Sequence, residues 1–411
     1  MKKLFALGAA AVLAFGLASC GEEGKTIDLV YSGTLSDQEF NEGLLEDFKS
    51  AMAKEGDPNT YNITYVGHGP DKVDSEVVDW SAADAPDVYE FASDKLAGLY
   101  SKGALARVTG SYAKFIDNEL NTFGKACASF NDSYYAYPYT GDNTYYLQYD
   151  KSKINLEETG NDMLKIMDAA AAQGLKVGYN VGEGFWGAGA MFTFGADYSI
   201  KFSEDGNIDK VNATFNSESG LKAAKAILSI VNHAGWTGTS SVPGASDNVC
   251  AVIGGTWDIA GYKALWGDNY GCAVMPTVTV DGDTKHLGAF LGGKLLGVNP
   301  QRAAGNADQL EAAHKLAKFL AGKECQLKRF EHAEIAPCHL EAAKDPKVQA
   351  SPNVAVLAEQ GTFAHAQTSV PDGVWAAPGV MVTAMKDGEC TAANLQDYID
   401  TFNTTVIGDK K

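Results

Sequence analysis

The sequence predicts an α/β protein built from two successive strand–helix units. Three observations predict it. Short runs alternate apolar with polar residues; stretches with apolar residues at helical spacing separate those runs; and the alternation restarts beyond a tyrosine-rich interval. The first unit has strands over 26–31, 61–66 and 87–91. Between the first two, Phe40, Leu44, Leu45, Phe48 and Met52 mark a helix. Ser36 and Glu39 read as its capping box, and Gly56 and Pro58 stop it. A further helix is expected over 73–80, and Leu96, Leu99 and Tyr100 recur at helical spacing up to Gly103. Strands alternating with helices imply a parallel sheet, whose loops at the strands' carboxyl ends are where such sheets hold ligands.

Tyr134, Tyr135, Tyr137, Tyr139, Tyr145, Tyr146 and Tyr149, with Pro138 and Gly141 among them, fit two strands joined by a loop. The second unit follows. It has helices over 157–172, 185–194, 217–231 and 257–266, strands over 177–181, 249–253 and 271–275, and a hairpin turn at Asp281-Gly282-Asp283. A strand over 295–298 closes at Asn299-Pro300, and helices are expected over 307–320, 323–332, 374–385 and 392–402.

The 411 residues are 45% hydrophobic and 21% charged, an ordinary globular composition of a length suited to two or three domains. Acidic side chains outnumber basic ones 52 to 33, for a net charge of −19. That balance repels nucleic acid and anionic lipid and disfavours a highly anionic ligand. At the start, Lys2 and Lys3 precede an apolar run over 4–17, too short to span a bilayer and of the form of a secretory signal. Leu17-Ala18-Ser19-Cys20 resembles the lipobox of bacterial lipoproteins, in which cleavage leaves an acylated cysteine. Residues 1–19 are then a leader, Cys20 the lipid anchor, 20–25 a tether, and the rest a body held at the extracytoplasmic face of the cell membrane. Cys127, Cys250, Cys272, Cys325, Cys338 and Cys390 permit disulfides, although buried thiols are the commoner outcome in so long a chain. Cys325, His332, Cys338 and His339 match no paired-ligand spacing, so no metal is expected.

Two motifs tempt. Gly182-Glu183-Gly184-Phe185-Trp186-Gly187 satisfies G-x-G-x-x-G, yet Phe185 and Trp186 fill the space a pyrophosphate needs and the unit is not at a domain start. No nucleotide cofactor is implied. Asp205, Asn207 and Asp209 imitate an EF-hand start, but Lys210 stands in place of the turn glycine and Asn216 in place of the bidentate Glu, so a polar turn is the better reading. The common hydrolase motifs are absent, which leaves only an unsignposted glycosidase carboxylate pair open.

The positive signal is a repeated pairing of aromatic with polar residues in loops. Phe91 goes with Asp94 and Lys95, and Tyr139 with Asp142 and Asn143. Glu183 goes with Phe185 and Trp186, Trp257 with Asp258, and Trp375 follows Asp372-Gly373. A sugar has apolar C–H faces and a rim of hydroxyls, which flat rings and carboxylate or amide acceptors match. Core packing competes with this for any single ring; the joint occurrence in five segments favours a site.

Over essentially the whole length after Cys20, the sequence resembles the extracellular solute-binding proteins of sugar ABC importers, the family of maltose-binding protein. The residues that carry the likeness are Asp87-Val-Tyr-Glu-Phe91 with Leu96 to Gly103, Tyr137-Pro138 with Tyr149-Asp150-Lys151, Gly254-Gly255-Thr256-Trp257, and Leu291-Gly-Gly293 with the helix around Ala312 to Leu320. The resemblance implies a two-lobed periplasmic-binding-protein-like fold with crossing hinge segments and a ligand cleft. Lobe one would be 26–140 with 286–338, and lobe two 145–285 with 339–411. It implies no catalysis, a monomer, an ABC permease as partner, and ligand contacts from Thr34, Ser36, Asp37, Phe91, Asp94, Lys95, Asp142 or Asn143, Phe185 or Trp186, Trp257, Gly293 and Trp375. Tyr139, Glu183 and Asp258 join them from the aromatic and polar loops. Phe91 stands where the family pattern has tryptophan and Lys95 where it has arginine, so the particular sugar is not fixed. The alternatives are a non-sugar solute such as a polyamine, a surface glycosidase, or an adhesin.

Overall fold

A computed structural model describes residues 24–69, 73 and 85–410. The leader, Cys20 and nearly all of the helix expected over 73–80 lie outside the described residues.

Two sheets organise the chain. In the first, Thr26–Thr34 lies between Thr60–His68 and Val88–Ala92, parallel to both, and Lys294–Val298 then pairs antiparallel with Val88–Ala92 and with Tyr137–Pro138. In the second, Asn143–Asp150 is central. It pairs antiparallel with Val249–Gly255, Tyr270–Ala273 and Phe290–Gly292, while Lys176–Gly178 and Trp236–Thr237 extend the sheet in parallel beyond Val249–Gly255. The short strand His365–Ala366 completes this sheet beside Phe290–Gly292.

Each sheet is covered by helices whose apolar stripes form its core. Leu44, Leu45 and Phe48 of Gln38–Glu55 and Ala312, Leu316 and Leu320 of Ala307–Leu320 pack on the first sheet with Leu29 and Tyr31. Met163–Ala171, Gly184–Met191, Glu218–Val231 and the C-terminal helices Asp372–Lys386 and Leu395–Ile407 share one core over the second sheet. The helix ends follow the sequence in several places: Ser217 and Asn306 accept from the free N–H groups of the turns they open.

Several expectations need correction. Ser36 and Glu39 form no capping box; a 3-10 turn over Leu35–Asp37 occupies that place, Ser36 Oγ donates to Asp37, and the helix starts at Gln38. The helix expected over 157–172 breaks in two, because Gly160 and Asn161 both take positive φ (64° and 51°). Helices at Gly110–Glu119 and Pro352–Gln360 escaped the periodicity reading, the first although Tyr112, Phe115 and Ile116 recur at helical spacing. Strand pairing changes from the second sheet to the first at Gly293. Leu291 and Gly292 still pair with Thr144 and Asn143 of the second sheet, whereas Lys294 already pairs with Ala92 of the first.

The chain therefore passes between the sheets at residues 139–142, at Gly293, and after Cys338. These crossings touch one another. A Cβ on Gly293 would stand 2.7 Å from the Thr140 carbonyl oxygen, so only glycine fits where two crossing segments meet. Away from the crossings, Phe130 on the first lobe meets Phe202 on the hairpin Tyr198–Phe202 with Ile208–Ala213 edge to face, 5.2 Å between ring centres.

Candidate functional site

The carboxyl ends of the parallel strands of both sheets face one cavity of about 770 Å³. Thr34 ends Thr26–Thr34, and the turn Leu35–Asp37 follows it. Ser93–Lys95 follows Val88–Ala92, and the turn Thr256–Asp258 follows Val249–Gly255. Glu183, Phe185 and Trp186 open the helix Gly184–Met191 beyond Lys176–Gly178.

One wall is aromatic and comes from the second lobe. The Phe185 ring centre lies 6.1 Å from Trp257 and 6.3 Å from Trp375, and Trp186 lies 6.2 Å from Trp257. Behind them, Phe290 stacks parallel to Phe185 at 5.7 Å and Tyr145 stacks on Trp186 at 5.5 Å. Trp186 Nε1–H donates to the Ile253 carbonyl (2.9 Å), which turns the indole's apolar face outward. The glycines of the tempting G-x-G-x-x-G run serve this wall. A Cβ on Gly184 would lie 2.4 Å from the Trp375 carbonyl oxygen, and one on Gly187 2.2 Å from that of Val181, so they let the Phe185 helix settle against its neighbours. Trp257 keeps 40% of its surface exposed, unusual for so large a ring.

The facing wall is polar. Lys95 Nζ stands 3.5 Å from Asp94, whose other oxygen accepts from Gln367 Nε2 (3.0 Å); Gln367 Oε1 in turn accepts from Asn143 Nδ2 (2.8 Å). Ser93 Oγ–H donates to the Gln367 backbone carbonyl (2.6 Å) and accepts from Gly293 N–H (3.1 Å). One continuous chain of bonds thus ties the first lobe's turn to the crossings. Burial pushes the Asp258 carboxyl up from its ordinary value, with the Trp257 indole opposing it. Below the polar wall, Phe40 stacks on His332 at 4.3 Å.

Of the residues expected from sequence, Thr34, Ser36, Asp37, Asp94, Lys95, Asn143, Glu183, Phe185, Trp186, Trp257, Asp258 and Trp375 line this cavity together. Four others do not reach it. Phe91 is fully buried beside Tyr89, because Val88–Ala92 is covered on both faces and alternation does not choose a side. Tyr139 lies under the Arg329 guanidinium, 4.4 Å from its ring centre. Asp142 is buried in the crossing, where its Oδ2 accepts from Ala336 N–H (3.1 Å), and burial pushes its carboxyl up to about 6 against the pull of Lys294. Gly293 shapes the crossing and lends the cavity no side chain. Ala92, Ala260, Lys294, His332, Ala333, Ile335 and Gln367 also line the cavity and were missed. Lys294 could have been found as the neighbour of Gly293; Gln367 left no signal, since a lone glutamine between short elements has no periodicity to read.

Among the described residues, no group of three or more His, Cys, Asp or Glu side chains is placed to hold a metal ion. Asp205 binds the Ser203 hydroxyl and the Asn207 amide of its own turn. The six cysteines beyond Cys20 are unpaired, and all but Cys272 are buried.

Residues 43–356 match the model of the bacterial extracellular solute-binding proteins. The chain belongs to that family. The maltodextrin-binding protein MdxE of Bacillus subtilis (strain 168) is 24% identical across 99% of this chain and 98% of its own length. Among solved structures, the maltodextrin-binding protein MalE1 from L. casei BL23 superposes with a TM-score of 0.78 at 19% identity, covering 93% of this chain and 99% of that one. The GacH receptor of Streptomyces glaucescens GLA.O gives 0.73 at 18% identity, covering 95% and 100%. The likeness establishes for this solute-binding protein the two-lobed fold and, from its family, a place outside the cytoplasm.

Proposed function

We propose that this solute-binding protein captures a neutral malto-type oligosaccharide between its lobes and hands it to an ABC importer, as a monomer lipid-anchored through Cys20 and without chemical turnover. The observation that carries the sugar is the cavity itself, with stacked rings on one wall and an amide–carboxylate–ammonium chain on the other. Sugar rings lie their C–H faces on the first and their hydroxyls bond the second. Support comes from relatives whose names record maltodextrin binding. Lobe closure is a hinge motion that a ligand contacting both walls biases, and a micromolar ligand supplies about 8 kcal/mol toward it.

A polyamine is the second reading, because Asp37, Asp94, Glu183 and Asp258 line the cavity against Lys95 and Lys294. The test is calorimetric titration of the protein from residue 21 onward with maltose to maltoheptaose, cellotetraose and spermidine, together with analysis for released glucose. Saturable binding of the α-linked series with no product supports the reading. Binding of spermidine alone, or sugar release over hours, overturns it.

A further inference from the structure

Glu90 is a buried carboxylate of the first lobe that does not line the binding cavity. It is fully buried, and a buried carboxylate is costly unless every lone pair is occupied. Its Oε1 accepts from the Tyr31 hydroxyl (2.5 Å) and from Asn41 Nδ2 (3.3 Å). Its Oε2 accepts twice from one residue, the N–H (3.1 Å) and the hydroxyl (2.9 Å) of Thr34. Asn41 in turn accepts from Arg329 (3.1 Å), whose guanidinium lies over Tyr139 and Phe40. Burial pushes the Glu90 carboxyl up, but Arg329, Tyr31, Lys294 and Thr34 outweigh it and hold it below the usual carboxylate range.

The consequence lies at Thr34. Thr34 precedes the turn Leu35–Asp37, where a threonine would ordinarily cap the free N–H groups with its hydroxyl. Here it caps nothing, because the hydroxyl is bound to Glu90. The geometry points to Glu90 as the positioning residue of the first lobe's binding loop, fixing Thr34 by two bonds so that Ser36 and Asp37 are presented to the cavity. Glu90 touches no ligand and acts through Thr34. The affinity arm of the test rests on the sugar-binding reading above, and the exchange arm does not.

The experiment compares Glu90→Gln and the double variant Glu90→Leu/Arg329→Leu with the unchanged protein. Hydrogen exchange is measured on the ligand-free protein and affinity with maltotetraose. In Glu90→Gln, the amides of residues 34–37 should exchange faster while those of the strand 26–32 stay protected, and affinity should fall about tenfold or more. The double variant removes both buried charges, so it should recover the melting temperature lost in the single variant but not the affinity. Recovery of affinity along with melting temperature, or unchanged exchange and affinity in Glu90→Gln, would overturn the assignment. If the unchanged protein binds no maltotetraose, the sugar reading falls and the exchange result alone decides the role of Glu90.

Discussion

Trp257→Ala separates a ring kept for a ligand from a ring kept for the core. Trp257 is 40% exposed, and a tryptophan side chain offers roughly 250 Å², so roughly 100 Å² is left for a ligand to cover. At about 25 cal/mol per Å², covering all of that area stabilises the complex by about 2.5 kcal/mol, and covering half by about 1.2. The variant should therefore bind maltotetraose between about eightfold and sixtyfold more weakly. A fully buried tryptophan costs about 3 to 5 kcal/mol of fold stability when truncated. Trp257 meets Phe185 at a tilt and Trp186 edge to face and leaves 40% of its surface exposed, so the loss should be clearly smaller. The assay is calorimetric titration alongside a thermal melt followed by far-ultraviolet circular dichroism. A dissociation constant within twofold of the unchanged protein, or a large drop in melting temperature with affinity intact, would make Trp257 a packing residue and refute the reasoning.

Gln367→Leu leaves Asp94 and Asn143 without their shared partner, so affinity should fall at least about fivefold, from a penalty of roughly 1 to 3 kcal/mol for unsatisfied groups, with the same titration as the check. Asp142 is held near 6, above its unfolded value, so its stabilising contribution is complete at about pH 4 and is lost as pH rises through about 6. Melting Asp142→Asn beside the unchanged protein should show a difference that moves in the variant's favour across that window and levels off above it; a constant difference would contradict the shift. Phe202→Ala removes an edge-to-face contact between the lobes worth about 0.5 to 1.5 kcal/mol. Ligand binding should weaken two- to tenfold through faster dissociation, read by stopped-flow tryptophan fluorescence, with the melting temperature nearly unchanged.

Much of the local order between residues 26 and 298 was legible because side-chain period and turn chemistry are properties of neighbours in sequence. The run Ile27, Leu29, Tyr31 alternates because one side of that strand is packed and the other is not, and Asp281-Gly282 makes a two-residue hairpin turn wherever two strands flank it. The cavity's rings were legible for a related reason: tryptophans beside carboxylates at strand ends are out of place in a core. What escaped is what depends on distant neighbours. Phe91 and Tyr139 have the composition of site residues, and only tertiary packing puts them inside: layers on both faces of Val88–Ala92 bury Phe91, and the Arg329 guanidinium covers Tyr139.

The sequence by itself determined the alternation of strands and helices, the hairpin turn and most of the aromatic wall, each set by interactions a few residues long. Tertiary structure alone decided that Lys294–Val298 joins the first sheet, that Gln367 reaches Asp94 across 273 positions, and that Glu90 is sealed behind Thr34. Hydrogen bonds and burial between remote segments leave no period in the chain, because the free energy that selects them is realised only once the two lobes have packed.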